Sequence, residues 1–176
     1  VLATVVGLLS TVPADAQRAK RKRVSPHETV SEVLDGNKVS VTYGRPYSKN
    51  PRGTDVRKIW GSLVPYGKAW RLGADEATTI VLQKGVKIGD AAVPAGTYTL
   101  YLIPEENGGK LAFSKTVGRW GIPVDQKNDL VRVDVKKEAL SPALNQLAIA
   151  VEKADNGGVL KIKWEDSQYS VNFTNE

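Results

Sequence analysis

The sequence has no cysteine, no methionine and a single histidine, and these scarcities remove several classes of chemistry. Without cysteine the chain forms no disulfide, offers no thiolate to a metal and has no cysteine nucleophile. His27 alone cannot build a zinc site of the usual kinds, so we expect no metal site and no cofactor. A Ser-His-Asp arrangement would depend on His27, and a lone histidine after Pro26 is more typical of a surface or capping residue. Catalytic residues are unknown from the sequence.

Long hydrophobic runs are also missing. The N-terminal run, Val1–Val12, is shorter than the roughly 20 apolar residues that a membrane-spanning helix needs. Ala14–Ala16 follows it and fits the small-residue cleavage pattern of a signal peptide. We interpret residues 1–16 as a signal peptide truncated at its start, with cleavage that leaves Gln17 as the first mature residue. A buried strand or helix, or a retained segment used in assembly, is the alternative.

This interpretation predicts a secreted or periplasmic protein of the cell envelope, with no transmembrane span in the mature chain. Its partner would be an unknown small ligand or an envelope component. If residues 1–16 were retained, self-assembly through this N-terminal segment would be the competing prediction.

Positive charge is concentrated in one short segment. The formal net charge is +6, and five basic residues lie in "RAKRKR" at 18–23. The chain from Val24 onward has 20 basic and 18 acidic residues, so the folded part is nearly balanced. We interpret 17–23 as a solvated basic leader, with contact to anionic lipid or lipopolysaccharide as the alternative. No aromatic residue interrupts these charges, so we expect no nucleic-acid partner.

Short stretches with period-two alternation dominate the rest of the chain, as in "KVSVTYG" at 38–44. Asn107-Gly108 and Asn156-Gly157 are strong hairpin signals. Residues 24–176 are therefore predicted to form a single all-β domain, an antiparallel β-sandwich-like fold. One short helix is expected at 54–64, where the apolar residues Val56, Ile59, Trp60 and Leu63 would fall on one face. One long loop excursion is expected at 44–73. The predicted strands lie near 38–44, 77–83, 96–103, 110–116, 130–137, 144–152 and 159–165.

Four motifs resemble a family of bacterial secreted domains catalogued as a domain of unknown function. They are "YGRP" (43–46), "LVPYGKAWRLGADEAT" (63–78), "VPAGTYTLYLIP" (93–104) and "WG" (120–121). The resemblance spans about 24–175 and implies an exported single-domain β protein, without implying an activity, a substrate or a catalytic residue. The family's pattern has asparagine where this chain has Asp75, which weakens any role for an amide donor there.

The densest of these motifs is "YGKAWRLGADEATTI" at 66–80, and two interpretations compete for it. In the first, Arg71 pairs with Asp75 or Glu76 across the turn at Gly73, and Trp70 packs beneath as part of a structural clamp. In the second, aromatic and basic residues form a pocket for an anionic or carbohydrate-like ligand. The candidate ligand-binding residues are Tyr43, Arg45, Tyr66, Lys68, Trp70, Arg71, Asp75, Glu76 and Trp120.

Three functions remain open on this basis. The first is a non-catalytic binding or interaction module of the envelope. The second is an enzyme acting on a cell-surface glycan or other anionic substrate, but Asp75 and Glu76 are adjacent and would point to opposite faces of an extended segment. The third is a structural subunit of an extracellular assembly. No acidic stretch has the spacing of a calcium-binding loop.

Overall fold

The computed structural model describes residues 24–50 and 53–176. The predicted signal peptide at 1–16, its cleavage site and the basic leader at 17–23 lie outside these residues. Within the described ranges, no helix is long and apolar enough to cross a membrane.

The described residues form nine β-strands and one hydrogen-bonded sheet. The strands are β1 (His27–Leu34), β2 (Asn37–Gly44), β3 (Thr79–Leu82), β4 (Val86–Ile88), β5 (Ala91–Val93), β6 (Gly96–Pro104), β7 (Gly108–Ser114), β8 (Asp129–Ala154) and β9 (Gly157–Asn175). Every pairing is antiparallel, and the spatial order is β1-β2-β3-β6-β7-β8-β9-β4-β5. The prediction of an all-β antiparallel fold is confirmed, whereas the sandwich-like arrangement stays a prediction.

Two of the predicted strands are one continuous strand in the structure, because the chain bends there and stays in the sheet. The stretches 130–137 and 144–152 belong to the single strand β8, whose register with β9 shifts between Ala139 and Leu144 and again between Leu144 and Ala148. Such irregularities bend a strand and keep it in the sheet. The hairpin signals at Asn107-Gly108 and Asn156-Gly157 do mark the β6–β7 and β8–β9 connections.

The helix predicted at 54–64 is wrong. Gly61 has a φ of 74°, and Val64 N donates to Ile59 O at 2.9 Å within a compact turn. Ile59 and Trp60 are buried as the apolar spacing suggested, but Val56 is 69% exposed. The apolar residues of this segment therefore cover the core through a turn, because tertiary packing outweighs a weak local helix preference.

One apolar core lies inside the curved sheet. Burial alternates along β2, where Val39, Val41 and Tyr43 are buried and Lys38 and Thr42 are exposed. The same core includes side chains of β9, which lies four positions farther along the sheet than β3. The sheet must therefore curve strongly enough for distant strands to share one interior.

A long connection, 45–78, joins β2 to β3 across the surface of this core. Its described residues contain no strand, and isolated bridges join Tyr47 to Gln146 and Trp70 to Leu102. The predicted excursion from the sheet is thus present, and it positions the motif at 66–80 against β6.

Candidate functional site

The 66–80 segment returns alongside β6 before it enters β3. Trp70 N donates to Leu102 O at 2.8 Å, and Leu102 N donates to Trp70 O at 2.9 Å. Leu72 is completely buried and has a φ of 60°, and Asp75 has a φ of 63°. The left-handed conformation is unusual for a bulky residue. Two sharp changes of direction therefore separate Trp70 from β3.

Arg71 does not pair with the carboxylate of Asp75 or Glu76 as predicted, and its guanidinium instead binds backbone carbonyls. Nε donates to Gly73 O at 3.3 Å, and Nη1 donates to Asp75 O and to Trp120 O, the latter at 3.1 Å. Burial lowers the pKa of Arg71, while the negative charges of Asp75 and Glu76 oppose that shift. The predicted pairing of Arg71 with Asp75 or Glu76 is therefore wrong about the acceptor, and the structural clamp stays a prediction.

Asp75 and Glu76 both reach the single histidine. His27 Nε2 lies 3.3 Å from Asp75 Oδ2 and 3.3 Å from Glu76 Oε2. The prediction that the two carboxylates diverge is wrong, because it assumed an extended backbone and Asp75 has a positive φ. This cluster connects the beginning of β1 to the 66–80 segment.

Trp70 belongs to an aromatic cluster at the edge of the core. Its ring stacks on Trp164, with centroids 5.7 Å apart, and meets the edge of Trp60 at 5.8 Å. Trp60 Nε1 donates to Trp164 O at 3.0 Å. Trp164 Nε1 is buried and has no acceptor among the described residues. Leaving such a donor unpaired costs about 1–3 kcal/mol.

Tyr43 and Arg45 hold β2 against β8. The Tyr43 hydroxyl accepts from Ile149 N at 2.8 Å and donates to Glu28 Oε2 at 3.0 Å, and burial raises the pKa of Tyr43 to about 12. Arg45 Nη1 lies 3.0 Å from Glu28 Oε2, and Arg45 Nε donates to Leu147 O at 3.0 Å. Both side chains are used in structural contacts.

Tyr66 also makes a structural contact. Its hydroxyl accepts from Lys137 Nζ at 3.1 Å, and that ammonium lies 5.0 Å from the centre of the Tyr66 ring. This cation–π contact joins the 66–80 segment to β8.

Two open cavities lie on either side of the connection between β7 and β8, which we call the 115–128 loop. The first cleft, of about 730 Å³, lies over β6 and β7. Its floor carries hydroxyl groups, and Thr99 Oγ1 is buried there without a partner among the described residues. Its walls include Arg71, Trp120 and two further cations, Arg119 and Lys127.

Among the described residues, Asp125 is the acidic one that lines the first cleft, and its carboxylate already accepts hydrogen bonds. It accepts hydrogen bonds from Lys127 N and Thr116 Oγ1, both at 3.0 Å, and from Asn128 Nδ2 at 3.4 Å. These contacts, the backbone N–H first, hold the pKa of Asp125 below its usual range. The carboxylate therefore orders the 115–128 loop.

The second cleft, of about 630 Å³, lies between the 115–128 loop and the 45–78 connection. Its basic residues are Arg57, Lys68 and Arg71, and no acidic residue of 24–50 or 53–176 lines it. Trp70 and Trp164 supply aromatic surface. Positive charge beside aromatic and apolar walls is suited to an anionic organic molecule.

Of the nine predicted site residues, four line a cleft and five do not. Lys68 and Trp70 line the second cleft, Trp120 lines the first, and Arg71 lies between the two and lines both. The remaining predicted residues line neither cleft: Tyr43, Arg45, Tyr66, Asp75 and Glu76.

Sequence reasoning missed Arg57, Arg119, Lys127 and Trp164. The pattern of "VLKIKWED" predicted a strand that includes Trp164. It gave no sign that this residue would line a cleft. For Arg119 and Lys127, which lie in the 115–128 loop, the sequence did contain a signal. The 115–128 loop is rich in glycine and charged residues, and such long loops often carry binding residues.

Metal binding has no support within the described part of the chain. No group of three or more histidine, aspartate or glutamate side chains there is arranged to hold a metal ion.

Comparison with known proteins gives one finding. The family model described as "Protein of unknown function (DUF2911)" matches residues 25–173. No curated protein and no solved structure matches the chain.

Proposed function

The chain belongs to the DUF2911 family, and we propose that it is a non-catalytic binding module of the cell envelope that takes a small anionic organic ligand. The two clefts beside the 115–128 loop are its binding region. The proposed export rests on the signal-like sequence of residues 1–16. The proposed ligand class rests on the residues that line the clefts.

The charge of the cleft walls carries the proposal. Five basic residues line the two cavities, whereas Asp125 is the one acidic residue in their linings within the described chain. Outside residues 18–23 the chain is nearly balanced in charge, so this excess is local. A recess lined by one sign of charge concentrates ligands of the opposite sign.

The alternative of an enzyme acting on a glycan has weaker support. Glycoside hydrolysis needs two carboxylates on either side of the scissile bond. Asp75 and Glu76 contact His27 and line neither cleft, and Asp125 is held by three hydrogen bonds. The alternative of an assembly subunit depends on residues 1–16, which lie outside the described chain.

Ligand binding is tested by thermal shift and calorimetry on the full chain with charge-matched pairs of probes. The pairs are phenylacetate with phenylacetamide, glucuronate with glucose, and glycerol phosphate with glycerol. Since a ligand that binds the folded state stabilises it, at least one anion should raise the melting temperature at millimolar concentration while its neutral analogue does not.

Variants of the cleft cations complete this test. Lys68→Gln in the second cleft, or Arg119→Gln with Lys127→Gln in the first, should weaken binding. Lys87→Gln, at an exposed position of β4, is the matched control and should have no effect. If none of the anions binds, or if every cleft variant binds as the parent does, the proposal is wrong.

Export is tested separately by the intact mass of the protein recovered from envelope fractions. Cleavage after Ala16 predicts a chain that begins at Gln17. A mass that retains residues 1–16 would contradict the cleavage and favour an anchoring or assembly role for that segment.

A further inference from the structure

The second cleft differs from the first in how its polar groups are used. Arg57 Nε donates to Ser48 O at 3.4 Å and its Nη2 donates to Tyr47 O, so this guanidinium is held by the 45–78 connection. Arg71 is held by three carbonyl oxygens. Both guanidinium groups add positive potential to the cleft, while much of their hydrogen-bonding capacity is already used.

Lys68 Nζ and Trp164 Nε1 are donors of the second cleft that have no acceptor among the described residues. Lys68 is exposed and lines the cleft, and its ammonium group has no hydrogen-bond or ion-pair partner among the described residues. Trp164 also lines the cleft and is 1% exposed, and its indole N–H is buried without a partner among the described residues. A buried donor without an acceptor is rare in folded proteins, and a ligand oxygen would satisfy it.

The rest of the second cleft is apolar. The walls include Val64 and Ala69 from the 45–78 connection and Pro123 and Val124 from the 115–128 loop. At the rim, Leu63 is 47% exposed and Ile122 is 65% exposed. Apolar side chains that face an open cavity from two sides are suited to a ligand whose body is itself apolar.

We infer that the second cleft binds a monocarboxylate with an apolar body, whose carboxylate lies between Lys68 Nζ and Trp164 Nε1 and whose hydrocarbon part lies against the apolar walls. The inference rests on the proposed function and names the ligand class. The ammonium group of Lys68 can form a charge-assisted hydrogen bond with a carboxylate oxygen. The indole N–H is a donor only, so the ligand group that meets it must be an acceptor.

A hydrophilic anion is less suited to this cleft. A sugar acid brings several hydroxyl groups, and the apolar walls would leave them without hydrogen bonds. The first cleft is different, because the Thr99, Ser114 and Thr116 hydroxyls line it. The two clefts should therefore prefer different ligands. An acid with an apolar body is expected in the second cleft, and a polar anion in the first.

The test measures phenylacetate and octanoate binding to the full chain by calorimetry, with phenylacetamide as the neutral analogue. Phenylacetate should bind at least about tenfold more tightly than phenylacetamide, because a charge-assisted hydrogen bond contributes that much. Lys68→Gln should weaken phenylacetate binding by about the same factor and leave phenylacetamide binding unchanged. Trp164→Phe, which keeps a ring and removes the N–H, should also weaken phenylacetate binding.

Two controls keep the inference testable. Lys87→Gln, at an exposed position of β4 outside both clefts, should leave phenylacetate binding unchanged. If Trp164→Phe does not fold, the indole N–H resonances of the parent replace it, and the Trp164 resonance should shift when phenylacetate is added. Saturation without a shift of that resonance would overturn the inference.

Failure of the inference can be told from failure of the proposed function. If glucuronate or glycerol phosphate binds, and Arg119→Gln with Lys127→Gln abolishes that binding while Lys68→Gln does not, the module stands and the assignment to the second cleft is wrong. If phenylacetate and phenylacetamide bind equally, the carboxylate assignment is wrong. If no anion binds at all, both proposals are wrong.

Discussion

Arg71 donates to the carbonyl oxygen of Trp120 at 3.1 Å, and its guanidinium carbon lies 5.5 Å from the centre of the Trp120 ring. One side chain thus contacts both the backbone and the ring of a residue 49 positions away in the sequence. Because Arg71 also holds the carbonyls of Gly73 and Asp75, it joins the 66–80 segment to the 115–128 loop and fixes the wall between the two clefts.

Replacement of Arg71 by lysine should destabilise the protein by about 1–3 kcal/mol, because an ammonium group cannot reach three carbonyl oxygens in the directions that a guanidinium serves. Denaturant midpoints of parent and variant measure the change. Arg119→Lys is the matched control, since Arg119 is exposed, and it should alter the midpoint little. Equal midpoints for Arg71→Lys and the parent would show that Arg71 is not a clamp.

Replacement of Trp70 by alanine should cost about 3 kcal/mol, because it removes a ring that stacks on Trp164 and meets the edge of Trp60. Trp120→Ala removes a ring that is 39% exposed and should cost less than about 1 kcal/mol. Urea denaturation of the two variants gives the comparison. A Trp70→Ala protein as stable as Trp120→Ala would contradict a structural role for the aromatic cluster.

Replacement of Gly44 by alanine should destabilise the protein by at least about 2 kcal/mol. A Cβ at Gly44 would lie 2.1 Å from Ala74 O, and backbone atoms there have little room to move. Gly67→Ala provides the control. A Cβ at Gly67 meets nothing within 4 Å, so the cost there is limited to the positive φ of 70°, about 1 kcal/mol. Thermal unfolding should therefore rank Gly44→Ala well below Gly67→Ala, and the reverse order would refute the packing argument.

Stability should fall at alkaline pH because of Tyr43. Its pKa is about 12 in the folded protein, raised mainly by burial, against about 10 in the unfolded chain. The folded state therefore favours the protonated hydroxyl, and this contribution is complete below pH 10 and is lost as the pH rises through 12. The two-unit difference corresponds to about 3 kcal/mol.

The measurement is the free energy of unfolding between pH 10 and pH 12 for the parent and for Tyr43→Phe. The variant should be less stable at neutral pH, because Ile149 N loses its acceptor, yet its stability should depend less on pH in this range. Burial also raises the pKa values of Tyr101 and Tyr169, so some alkaline dependence remains in the variant. Identical pH dependence in the two proteins would contradict the argument.

Local sequence patterns were sufficient for most of the strands. Alternation in "KVSVTYG" predicted β2, and Asn156-Gly157 predicted the turn between β8 and β9, because a period of two and a two-residue turn are both set by neighbouring residues. The apolar spacing at 54–64 was equally clear and still misleading. A turn that includes Gly61 buries Ile59 and Trp60 without a helix.

The candidate site was only partly predictable, because some of its contacts join residues that are far apart in the sequence. Lys68, Trp70 and Arg71 stand together in one motif, so the sequence identified them as a group. Their surroundings depend on contacts between distant residues, such as Arg71 with Trp120 and Trp70 with Trp164.

The sequence by itself determined the class of fold, the absence of cysteine chemistry and the location of the most informative motif. Only the tertiary structure decided that Arg71 binds carbonyl oxygens and that Asp75 and Glu76 converge on His27. Alternation and turn residues act over a few positions and are visible in the sequence. The acceptors of a guanidinium and the direction of a carboxylate depend on how the sheet curves and on a left-handed backbone at Asp75, which arise from packing across the whole domain.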